Sequence, residues 1–131
     1  MHDDRAAGRK RQILVVDDHE DTRVILRHYL EAMGFEVREA HDGEEALATL
    51  QACRPDAVVL DIQMPKVDGI AVLRAVRADG ALRSLPILAL SAHALAEEVR
   101  QIREAGADSY ISKPADPKSV VRAIRELIGE S

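Results

Sequence analysis

From Gln12 onward the chain alternates short aliphatic runs with stretches in which apolar residues recur every three or four positions. Ile13-Leu14-Val15-Val16, Ala57-Val58-Val59-Leu60 and Ile87-Leu88-Ala89-Leu90 are unbroken apolar runs, the pattern of parallel strands covered by helices on both faces. Phe35 to Ala40 alternates apolar with polar residues, and Ser109-Tyr110-Ile111-Ser112 is short with polar ends. Those two strands are expected at the sheet edges.

The intervening stretches carry helix punctuation. Asp42-Gly43-Glu44-Glu45 reads as an N-cap with a carboxylate three residues on, followed by Ala46, Leu47 and Leu50. Asp116-Pro117 sets a capping carboxylate before a proline at the first helical position, ahead of Val120, Val121, Ile124, Leu127 and Ile128, with Gly129 as a stop. Apolar stripes at helical spacing are expected at Ile25, Tyr29 and Met33 before Gly34, at Ile70, Leu73 and Val76 before Gly80, and at Leu95, Val99 and Ile102 before Gly106. Five strands alternating with five helices predict an α/β fold, a doubly wound, open parallel sheet with right-handed crossovers. Ligand sites in such sheets lie beyond the carboxyl ends of the strands, where the strand order reverses.

Composition narrows the class. The 131 residues suit one domain, read as residues 12–131 behind a flexible tail over 1–11, with 47% hydrophobic and 31% charged residues but only 2% aromatics, so aliphatic side chains must fill the core. A net charge of -5 argues against general binding to nucleic acid phosphates or anionic membranes. The single cysteine, Cys53, allows no internal disulfide, no cysteine-based metal site is available, and the amino end is polar rather than signal-like. No stretch has the roughly 20 apolar residues of a membrane span. A reducing, cytoplasmic setting is expected. His2, His19, His28, His41 and His93 share no metal-ligand spacing with one another, so no zinc site is expected. The run Arg9-Lys10-Arg11 reads as solvated.

Chemistry collects at the strand ends. The first strand hands over to Asp17-Asp18, the third to Asp61, the fourth to Ser91, and the fifth is followed by Lys113-Pro114. Parallel strands all point the same way, so these groups converge on one edge. Two like charges about 4 Å apart repel by about 4 kcal/mol at an effective dielectric near 20. Three carboxylates therefore require positive charge among them. Lys113 supplies one, and a divalent cation that accepts oxygen ligands, Mg²⁺ or Mn²⁺, is the natural second. That set points to phosphoryl chemistry with Asp61 as nucleophile, since a carboxylate can accept a phosphoryl group once neighbouring charge is neutralised. Ser91 would then donate a hydrogen bond to a phosphoryl oxygen.

Val15-Val16-Asp17-Asp18, the run Asp61-Ile62-Gln63-Met64-Pro65-Lys66-Val67-Asp68-Gly69, Ser91-Ala92, and Lys113-Pro114 preceded by Tyr110 together resemble the receiver domains of bacterial two-component response regulators. The resemblance runs from about Gln12 to the end. It implies a flavodoxin-like (βα)5 fold with strand order 2-1-3-4-5, and phosphorylation of Asp61 by a sensor histidine kinase or histidine phosphotransfer protein docking near His19, Glu20, Arg23 and the loop after Lys113. Mg²⁺ would be held by Asp18, Asp61 and the Gln63 carbonyl, with Asp17 acting mainly through water. Lys113 would pair with the phosphoryl group beside a cis bond to Pro114. Ser91 and Tyr110 would form the switch that alters the face of the fourth helix, fifth strand and fifth helix, where a downstream protein or a phosphorylation-dependent homodimer partner binds. Gln63 and His93 would tune the phosphate lifetime. The chain would be no enzyme beyond supporting its own phosphorylation and dephosphorylation, and would act either alone or as part of a longer regulator.

Plainer roles exist for each residue alone. Asp17 and Asp18 could cap a helix, Ser91 likewise, Lys113 could be a solvated lysine beside a turn proline, and Tyr110 could be core packing. Two other functions compete: an aspartyl-phosphate phosphohydrolase, disfavoured because Gln63 stands where a second aspartate would serve as acid and base, and a phosphorylation-independent scaffold. A flavin module fits poorly because Asp17-Asp18-His19-Glu20 would repel phosphate after the first strand.

Overall fold

A computed structural model of the protein describes residues 10–65, 67–92 and 95–129. The expected tail lies almost wholly outside the described residues, as do Lys66 and His93. The elements follow in strict alternation: β1 (Gln12–Val16), α1 (Glu20–Ala32), β2 (Glu36–Ala40), α2 (Gly43–Ala52), β3 (Ala57–Asp61), α3 (Gly69–Ala78), β4 (Ile87–Ser91), α4 (Ala96–Ala105), β5 (Ser109–Ser112) and α5 (Pro117–Leu127). All strand pairings are parallel and the sheet order is β2-β1-β3-β4-β5. The two strands expected at the edges are there. The order reverses between β1 and β3, which places the predicted crevice beside Asp17, Asp18 and Asp61.

Strand alternation divides the core into two layers. Leu14, Val16, Val58, Leu60, Ile87 and Ala89 face one way, onto Ala46 and Leu50 of α2, Val72, Leu73 and Val76 of α3, and Ile102 of α4. Ile13, Val15, Val59, Leu88 and Leu90 face the other way, onto Leu26 and Leu30 of α1 and Val120, Val121 and Ile124 of α5. Complete burial on both faces explains why the three central strands read as unbroken apolar runs.

Three helices begin where the sequence puts a capping carboxylate. Asp42 accepts from the Glu45 N–H at 2.8 Å, Asp68 from Ala71 at 2.9 Å, and Asp116 from Lys118 at 3.2 Å. Two expectations need correction. Ile25, Tyr29 and Met33 do not form the buried stripe of α1; they are 52%, 38% and 45% exposed, while Leu26 and Leu30 carry the packing. The helix carries apolar residues on more than one face, so spacing alone could not choose between the stripes. α3 ends at Ala78 with Asp79 as its cap, so Gly80 follows the stop rather than making it.

Gly69 bears directly on the site. A methyl group there would lie 2.6 Å from the Ile62 Cα and 2.7 Å from the Asp61 carbonyl oxygen, both backbone atoms that cannot swing aside. The Gly69 N–H also bonds the Ile62 carbonyl at 3.0 Å, so the start of α3 is pressed against the residues that carry Asp61. Gly69→Ala is expected to destabilise the protein by about 1–3 kcal/mol through this overpacking, read by urea unfolding. A change within about 0.5 kcal/mol would show that the loop yields freely.

Candidate functional site

The carboxyl ends of β1, β3 and β4 and the turn after β5 bring the chemically loaded residues together. Asp17, Asp61 and Ser91 are fully buried, the buried polar residues among those described. Lys113 reaches between two of them: its Nζ lies 3.0 Å from Asp61 Oδ1 and 3.3 Å from Asp17 Oδ2. Its own backbone is fixed, because the Lys113 N–H donates to the Ser91 carbonyl at 2.8 Å, and the Lys113–Pro114 bond is cis. Asp17 is fixed at both ends. Its N–H donates to Ala40 at 3.1 Å, and its carbonyl accepts from Arg23 Nη1 at 2.8 Å. Arg23 is braced by Glu39 at 3.0 Å, which also takes Arg27 at 2.6 Å. Burial would raise the Glu39 pKa, but the bonds from Arg27 and Arg23 outweigh it and hold the pKa below the usual value.

The pocket is short of positive charge. Asp61 Oδ2 is buried with no hydrogen-bond partner, an expensive condition in a folded protein, while the buried Asp17 Oδ2 faces the Lys113 ammonium at 3.3 Å and Asp18 Oδ1 the His19 ring at 3.2 Å. Three carboxylates against one ammonium leave two negative charges over. Asp17, Asp18, His19 and Asp61 present ligand atoms that all lie within 4.8 Å of one another. Carboxylate oxygens at that spacing, in excess over the positive charge beside them, fit a hard divalent cation. His19 adjoins this cluster, a neighbour that spacing among the histidines alone does not reveal. Its Nδ1 lies 3.2 Å from both Asp17 Oδ1 and Asp18 Oδ1, and its N–H donates to Asp17 Oδ1 at 2.8 Å.

Charge crowding shows in the acid strengths. Burial, then the nearby Asp17 charge, pushes the Asp61 pKa up to about 6, against the pull of Lys113 and the Gln63 N–H, which donates to Oδ1 at 3.1 Å. Burial would lower the Lys113 pKa, but its hydrogen bond to Asp61 and the charges of Asp61 and Asp17 prevail and raise it, so the ammonium stays charged.

Ser91 and Gln63 meet a group that the sequence did not single out. The Ser91 hydroxyl donates a short hydrogen bond to Glu98 Oε1, from the first turn of α4. Gln63 Nε2 lies 2.9 Å from the same oxygen and 3.3 Å from Ser91 Oγ, and Gln63 Oε1 accepts from the Ala92 N–H at 2.8 Å. Nothing in the sequence pattern flags Glu98, because its position depends on how the β4–α4 connection sets the helix. Tyr110 is half-buried and packs against the α2–α4 core layer. His93 lies outside the described residues.

Residues 13–125 match the family model for the response regulator receiver domain. The chain belongs to that family. This receiver domain is 32% identical over 121 residues to the polar-differentiation response regulator DivK of Brucella anthropi, covering 92% of this chain and 98% of DivK. It is 43% identical over 117 residues to the response regulator MprA of Mycobacterium avium, covering 89% of this chain but only 50% of MprA, so it spans half the length of that relative. Among solved structures it is similar to the Vibrio cholerae chemotaxis protein CheY4, with a TM-score of 0.85, 31% identity, and coverage of 90% of this chain and 98% of that one. The receiver domain of the Francisella response regulator 1452 gives a TM-score of 0.86 at 28% identity, covering 92% and 98%. Receiver domains are signalling domains, and the flavodoxin-like strand order implied by the resemblance is the one found.

The raised Asp61 pKa has a sign that can be measured. The native protein binds that proton more tightly than the unfolded chain does, so stability falls as pH rises from 3.8 to about 6 and the penalty persists above. A shift of about two pKa units corresponds to about 3 kcal/mol. In metal-free protein, Asp61→Asn should therefore raise the unfolding free energy at about pH 7.5 by about 2 kcal/mol, with the gain fading toward about pH 4.5. Urea unfolding with a chelator present checks this. A variant less stable than the wild type at the higher pH would contradict it.

Proposed function

We propose that this receiver domain is a phospho-accepting switch in two-component signal transduction, in which Asp61 takes a phosphoryl group from a phosphohistidine on a sensor histidine kinase or histidine phosphotransfer protein. In that step the donor P–N bond breaks, a P–O bond forms to an Asp61 carboxylate oxygen, and the imidazole leaves with its electron pair and takes up a proton. The carrying observation is the state of Asp61: fully buried at the end of a central strand, held 3.0 Å from the Lys113 ammonium, with one oxygen unpartnered. A carboxylate serving only stability would be an expensive choice there.

The carboxylates of Asp17, Asp18 and Asp61 and the Gln63 carbonyl would hold Mg²⁺, with Mn²⁺ as a substitute. Such a cation supplies neutralisation of the charge on the phosphoryl oxygens. Lys113 holds the acceptor carboxylate in place and offers a fixed positive charge to an incoming phosphoryl oxygen. Ser91 offers a hydroxyl, and Ser91 and Tyr110 would carry the change to the face of α4, β5 and α5, where a downstream protein or a second copy binds. The donor would approach over the start of α1, near His19, Glu20 and Arg23, where the exposed Ile25 lines a groove with Lys113, Pro114, Ala115 and Pro117. No helix among the described residues is long and apolar enough to cross a membrane, and a cytoplasmic setting alongside the donor kinase suits the lone cysteine and the net charge of -5. The phosphohydrolase alternative lacks support because Gln63 has a carboxamide that is already engaged with Ala92 and Glu98.

Incubation with Mg²⁺ and acetyl phosphate should add one phosphoryl group by intact mass. Asp61→Asn should abolish the addition and chelation of the cation should block it. Wild-type protein that stays unmodified would leave the scaffold reading in its place. Lys113→Ala should slow labelling by about 100-fold in protein that urea unfolding shows to be folded, through loss of the fixed charge at the acceptor. An unchanged labelling rate would remove Lys113 from the chemistry.

A further inference from the structure

The hydrogen-bond network around Ser91 assigns a role to a residue outside the acceptor pocket. A serine hydroxyl has one proton to donate. Here that proton goes to Glu98 Oε1. The same oxygen takes Gln63 Nε2 at 2.9 Å, and the other end of that carboxamide accepts the Ala92 N–H at 2.8 Å, so Glu98 and Gln63 together hold the start of the β4–α4 connection. α4 has no side-chain cap at its amino end, where Leu95 is the N-cap, and Glu98 in its first turn is the residue that ties this end to the sheet edge through Ser91.

We propose that Glu98 is a positioning residue that competes with the phosphoryl group on Asp61 for the single proton of the Ser91 hydroxyl, holding the switch in its unphosphorylated arrangement until the phosphoryl group outbids it. This rests on Asp61 being the phosphoryl acceptor. Both acceptors are anionic, and hydrogen bonds to anions are the strong ones, so neither partner is a negligible competitor. When the hydroxyl turns to a phosphoryl oxygen, Glu98 loses a donor and faces added negative charge across Ser91. Both effects loosen the first turn of α4 from the sheet. The local chemistry at Asp61 thereby reaches α4 through one exchanged hydrogen bond, with no need for motion to spread through the core.

The test is a double-mutant cycle on the labelling rate with acetyl phosphate and Mg²⁺, using wild-type, Glu98→Ala, Ser91→Ala and the double variant. Glu98→Gln joins the set because it is isosteric and keeps a neutral acceptor for the hydroxyl. Removing the competitor should speed labelling by about tenfold in Glu98→Ala and by a smaller factor in Glu98→Gln. In the Ser91→Ala background, Glu98→Ala should speed labelling by a clearly smaller factor, because only the charge repulsion is then left to remove. Hydrogen exchange of residues 95–105 in unphosphorylated Glu98→Ala should rise toward that of the phosphorylated wild type. Wild-type protein that takes no label removes the acceptor reading and this inference with it. A labelled wild type whose rate is unaffected by Glu98→Ala, or is affected equally with and without the Ser91 hydroxyl, overturns the role of Glu98 alone.

Discussion

Like charges held together out of water are the constraint on which the rest of the structure depends. Asp17 and Asp61 are both fully buried, with Asp18 beside them, and Lys113 is the ammonium set between the first two. Such a cluster is a cost to the fold, and the doubly wound sheet is what can meet it. Thirty buried apolar residues among those described, in two layers, hold the strand ends in place, and the strands' shared direction delivers the charged groups of the site to one edge. The excess of negative charge makes the pocket receptive to a cation. Burial first, and then the Asp17 charge, lifts the Asp61 pKa, so the same enclosure that strains the metal-free protein readies the site for positive charge.

The supports around the pocket are arranged to keep these groups from relaxing apart. Arg23 ties the Asp17 carbonyl to Glu39 on β2, the Lys113 N–H is tied to Ser91, and Gly69 lets α3 press against the backbone of Asp61 and Ile62. At the far end of the sheet, Arg77 binds the carbonyls of Leu85 and Gly106 and the carboxylate of Asp108, joining α3, the entry to β4, the end of α4 and the entry to β5. That end is stitched by the Arg77 side chain; the opposite end, where the chemistry lies, leaves Asp61 Oδ2 without a hydrogen-bond partner.

Most of the fold was legible because central parallel strands must be apolar on both faces and helix starts need a side-chain acceptor. Ile13 to Val16, Ala57 to Leu60 and Asp42 and Asp116 all signalled their places for those reasons. The convergence of Asp17, Asp18, Asp61, Ser91 and Lys113 followed from strand direction alone. α1 misled because Ile25, Tyr29 and Met33 have the same spacing as a buried stripe, whereas Leu26 and Leu30 meet the sheet. Glu98 and His19 were not legible as neighbours of the site. The sequence pattern does not place Glu98 beside Ser91, and it does not tell that the His19 ring turns onto Asp17 and Asp18.

The central claim is that the buried carboxylate of Asp61, and no other group in the pocket, carries the phosphoryl group. Borohydride reduction of the phosphorylated protein converts an acyl phosphate to an alcohol, and peptide mass mapping then locates it. The account predicts homoserine at position 61 alone, dependent on both donor and Mg²⁺. Reduction at 17 or 18, a phosphoryl group retained on a histidine, or a reduced product formed without a divalent cation would contradict it.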